Sequence, residues 1–105
     1  MAKKIRLNKK LRGFSIFEVD AKGEYIKCIV PSANLHNGKL ELSGCLSEGR
    51  EIFAETVRTV FLQTKVKGFT LRGYSVNADD YLLSCRVPLQ LIDKTPGFQE
   101  YDFIR

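Results

Sequence analysis

The 105-residue chain has no apolar run near the about 18 residues that span a bilayer, and Met1-Ala2-Lys3-Lys4 is not followed by the apolar stretch of a secretory leader. A cytoplasmic protein without membrane contact is the expectation. The only histidine, His36, stands in a connection before Asn37-Gly38, where a general base or metal ligand needs partners from elsewhere in the chain. The nucleophile elbow, phosphate-binding loop, dinucleotide fingerprint and zinc-protease helix are all missing. Gly44-Cys45-Leu46-Ser47-Glu48-Gly49-Arg50 has phosphate-loop glycine spacing but neither the lysine nor the hydroxyl that such a loop uses. Asp79 and Asp80 are adjacent, as turn carboxylates often are. A non-enzymatic protein with no metal and no cofactor is therefore expected.

Cysteine is scarce and oddly placed. Cys28, Cys45 and Cys85 are 17 and 40 positions apart, which suits neither a disulfide framework nor the short pairs of zinc sites. Reduced thiols that pack as small hydrophobes follow from this. Acid is missing from the start of the chain: residues 1–12 carry Lys3, Lys4, Arg6, Lys9, Lys10 and Arg12 and no carboxylate, whereas residues 13–105 sum to a net charge of −1. The basic character belongs to an N-terminal arm or first edge strand, followed by one compact domain over 13–105. Like charges gathered in this way concentrate phosphates or acidic partners.

What is present is mostly period-two alternation. Ile26, Cys28 and Val30 alternate with Tyr25, Lys27 and Ile29, and Leu40 and Leu42 with Lys39, Glu41 and Ser43. Tyr81, Leu83, Cys85, Val87, Leu89 and Leu91 predict a long core strand, with Arg86 on its other face and Pro88 at an edge or bulge. Asp20-Ala21-Lys22-Gly23 and Asn37-Gly38 supply turns, so neighbouring strands are expected to pair antiparallel. Over 47–65, Ile52, Phe53, Thr56, Val57, Val60 and Phe61 recur at helical spacing and predict the single helix, capped by Ser47.

Leu11-Arg12-Gly13-Phe14-Ser15-Ile16 matches Leu71-Arg72-Gly73-Tyr74-Ser75-Val76, and Tyr25 to Pro31 matches Tyr81 to Pro88 with one insertion. An internally duplicated meander in βββ-α-βββ order would account for both matches, with further strands at 39–45 and 98–104. The expected class is α+β, mainly antiparallel: either a small barrel resembling an OB-fold or a curved sheet with one helix packed on it.

Basic and aromatic residues fall together on the strand face opposite the core, Tyr25 with Lys27 and Arg72 with Tyr74, and Arg86 joins them. Cations that track a backbone and rings that stack under bases hold single-stranded DNA or RNA. With the arm, the candidate contact set is Lys3, Lys4, Arg6, Lys9, Lys10, Arg12, Tyr25, Lys27, Arg72, Tyr74 and Arg86. The alternative partner is a protein, or a second copy of the chain, paired through an exposed strand edge. Its motive is the final segment Phe98 to Arg105, which still alternates where the sequence stops.

Overall fold

Residues 4–73 and 79–105 are described by a computed structural model. Seven strands form one sheet: β1 (Lys4–Lys10), β2 (Gly13–Val19), β3 (Tyr25–His36), β4 (Lys39–Glu41), β5 (Gly68–Arg72), β6 (Leu89–Thr95) and β7 (Phe98–Phe103). Their spatial order is β1-β2-β3-β4-β5-β7-β6. Every pairing among them is antiparallel except β4 with β5, which run parallel because α1 (Arg50–Gln63) carries the chain across between them. No ladder joins β1 to β6 among the described residues, so closure into a barrel is not observed.

The core lies between the sheet and α1. Ile5, Ile16, Ile29, Leu40, Phe69 and Phe103 from the strands meet Ile52, Phe53, Val57 and Val60 from the helix, all buried. The predicted inward positions of α1 face the core, with Phe61 partly buried, but Thr59, expected on the outer face, is buried with them, and the β-branched residues are accommodated. Thr56 and Thr59 donate their hydroxyls to the carbonyls of Ile52 (2.8 Å) and Glu55 (2.7 Å), which satisfies both groups inside the core. The cap differs from expectation. Ser43–Glu48 forms a separate 3-10 turn, Ser47 donates to the Gly44 carbonyl, and Gly49 is the residue that precedes α1.

The predicted long strand over 81–91 is not found. Asp79–Cys85 is a second helix, α2, and the strand begins only at Leu89. The same apolar residues satisfy a helical pattern: Tyr81, Leu82 and Cys85 pack inward, while Leu83, the second member of the supposed alternation, is 79% exposed. Asp79 and Asp80 suit the positive first turn of this helix, and Arg86, at φ 57°, takes the left-handed conformation just past its end.

The internal duplication fails for the same reason. Tyr25 to Pro31 lies within β3, whereas Tyr81 to Cys85 is helical. The two matched glycines also serve different purposes. A Cβ on Gly13 would lie 1.9 Å from the Ala33 carbonyl oxygen, so a tight strand approach needs glycine there. Gly73, by contrast, has open space around it and a φ of +86°. Tyr74, Ser75 and Val76 of the second motif lie outside the described residues.

Candidate nucleic-acid interface

β1 is an edge strand, and its alternation divides its cations between two faces. Ile5 and Leu7 pack into the core under α1, which places Lys9 on the helix side of the sheet. Lys4, Arg6, Asn8 and Lys10 are therefore on the opposite, helix-free face. The antiparallel register sets Arg6 across from Phe17 and Lys4 across from Val19.

On that face the sheet carries a small apolar cluster separate from the main core. The Phe17 and Tyr25 rings meet edge to face at 5.6 Å, and Val19, 8% exposed, is buried beside them. Together with Arg6 and Asn8 they line a shallow pocket of about 240 Å³ that has no carboxylate in its wall. Tyr25 is 64% exposed, so its ring is available to a ligand, while Phe17 holds it from below. Asn8, Phe17 and Val19 escaped the sequence reading. The signal for Phe17 was the β1–β2 turn, whose register alone sets that ring opposite Arg6.

The remaining candidates disperse. A register shift between Glu18 and Val19 pairs Lys27 with Glu18 but Tyr25 with Val19, so the two fall on opposite faces. Lys27 then reaches Glu48 at 2.6 Å, and the hydrogen bond and charge of that carboxylate raise the lysine pKa. Arg72 ends β5, far across the strand order from β1, and its guanidinium stacks over Phe98 at 5.1 Å. Arg86 is not on a strand: it lines a groove between α1 and α2 with Arg50, Glu51, Arg58 and Leu83. Arg12 is exposed in the β1–β2 turn. Lys3 and Tyr74 lie outside the described residues.

His36 is exposed at the end of β3, and no group of three or more metal-ligating side chains occurs among the described residues. Burial pushes the thiols of Cys45 and Cys85 up to about 12, which favours their protonated form at neutral pH. Asp79 and Asp80 face Lys94 (3.7 Å) and Arg50 (4.0 Å) at the start of α2. No helix among the described residues is long and apolar enough to cross a membrane. No family model matches the chain, and no curated protein or solved structure matches it either.

Proposed function

We propose that the protein binds single-stranded nucleic acid along β1, with Lys4, Arg6 and Lys10 on phosphates along the strand and an unstacked base against Tyr25. The observation that carries this reading is the pocket that gathers Arg6 and Asn8 with the Phe17–Tyr25 pair on the helix-free face. A cation, an amide and an exposed ring at one strand edge match the chemistry of a nucleotide: charge for the phosphate, hydrogen bonding for a base edge and a π-face for stacking. Duplex DNA hides its π-faces, so single strands are the preferred ligand.

Strand addition at an open edge has less support. β1 is defended by its row of like charges, and β6 is bulged between Leu91 and Asp93.

The test is fluorescence anisotropy with labelled single-stranded and duplex oligonucleotides at several salt concentrations. Three phosphate contacts predict a log-log salt slope of about −2. Tyr25→Ala is expected to lose about 1–3 kcal/mol of binding at an unchanged melting temperature. Equal affinity for duplex, or no effect of combining Arg6→Gln with Tyr25→Ala, rejects the reading.

A further inference from the structure

On the other side of β1, where the chain leaves α1 for β5, lies a cleft of about 450 Å³ that the proposed strand-binding face does not use. Phe14, Leu35 and Val66 line it, each half-buried and packed against the main core. Lys9, Lys65 and Lys67 line it too, and no carboxylate does. The nearby acids of β7 are already engaged, because Glu100 and Asp102 both bind the Lys39 ammonium.

Two of the three lysines are held by their neighbours. Lys67 donates its backbone N–H to the Gly38 carbonyl (2.8 Å) and accepts from the Phe103 N–H (2.8 Å), and its stem lies along Gly38. The Lys9 ammonium sits 4.9 Å from the centre of the Phe14 ring. The exposed carbonyls at the end of a helix repel anions, and two of those in the last turn of α1, Val60 and Phe61, are engaged here. Arg105 donates to the carbonyls of Phe61 (2.8 Å) and Val66 (3.0 Å), and the Thr64 N–H closes on Val60 (3.1 Å).

We infer that this cleft binds a mononucleotide-sized anion with a flat apolar ring, the ring on Phe14, Leu35 and Val66 and the anionic group held by Lys65 and Lys67. The volume is in the range of small-molecule sites, about 300–1,000 Å³. Three ammonium groups without an acid beside them select negative charge. Inorganic phosphate would leave the apolar floor uncovered, and a neutral ring would leave the lysines unused.

Isothermal titration of the full chain with adenosine monophosphate, adenosine and inorganic phosphate tests the assignment, with variants of each face to tell which one binds. Adenosine monophosphate is expected to bind, with the other two at least about tenfold weaker. Combining Lys65→Gln with Lys67→Gln, both exposed positions, is expected to weaken it about tenfold at an unchanged melting temperature. Combining Arg6→Gln with Tyr25→Ala, which removes the strand-binding face, leaves it unchanged, so the two readings fail separately. No heat with adenosine monophosphate at low salt, equal binding of adenosine, or decanoate binding in its place overturns the inference.

Discussion

Among the described residues, Lys39 is the cation drawn well inside the sheet. Its ammonium bridges Glu100 and Asp102 across the β4, β5 and β7 region, with only 12% of the side chain exposed. Burial pulls its pKa down, but the hydrogen bonds and charges of the two carboxylates outweigh burial, and the net shift is upward from 10.5. A raised folded-state pKa means the stabilisation is complete below 10.5 and fades as pH rises through the higher folded-state value. Lys39→Met is accordingly expected to cost about 1–2 kcal/mol in urea unfolding at pH 7, with part of the pairing energy discounted for solvent screening. The gap between variant and native protein then narrows in strongly alkaline buffer. A gap that stays constant with pH would assign the loss to packing instead. Residue-level chemistry of this kind was not legible in the sequence, because Lys39 and its two carboxylates are some 60 positions apart and only the register of β7 against β5 unites them. Tyr25 and Lys27 teach the converse. Their spacing promised a shared face, and one bulge, invisible to a period-two reading, separated them.

Among the elements, α1 was readable because its buried residues repeat over 14 positions with consistent helical spacing. The β2–β3 and β3–β4 connections were readable from their turn residues, whereas the turn at Leu11 and Arg12 was not. α2 was not, since seven residues are too few to separate a period of two from one of 3.6, and Leu83 fits either until its exposure is known. So short a helix relies on tertiary contacts. Arg58 of α1 provides the main polar one: Nη1 donates to the last carbonyls of α2, Ser84 (3.0 Å) and Cys85 (3.3 Å), while Nε and Nη2 hold Glu55. Arg58→Met keeps the stem and removes the donors. It is expected to cost about 1–2 kcal/mol of global stability, and amide exchange over 79–85 rises more than exchange in α1. Uniform acceleration of both helices would show that α2 does not depend on this clasp.

For the molecule as a whole, the two sheet edges differ in how they resist further pairing. β1 presents Lys4, Arg6, Lys9 and Lys10, and β6 carries exposed Leu91 and Ile92 but breaks its register there. Charge on one edge and a bulge on the other are two separate defences against edge-to-edge association. Sedimentation velocity from low to high micromolar protein is expected to give one concentration-independent monomer boundary. A faster-moving species that grows with concentration and disappears on Ile92→Lys would locate a dimer at β6. The mainly antiparallel α+β class was legible from alternation and turns. The strand order was not, because no local pattern announces that β4 and β5 lie side by side.

That parallel contact is short, only Lys39 with Gly68, Leu40 with Phe69 and Glu41 with Thr70, yet it joins the block β1-β2-β3-β4 to the block β5-β7-β6. The first block is stitched by hairpins between near neighbours in the chain and the second holds the β6–β7 hairpin, whereas the seam encloses the whole of α1 and the β5–β7 ladder encloses α2 and β6. Closing the α1 loop for only three residue pairs gains little until the helix has docked. Time therefore has an order in this fold: the hairpins form early, and the sheet becomes continuous only when the helix delivers β5 to β4.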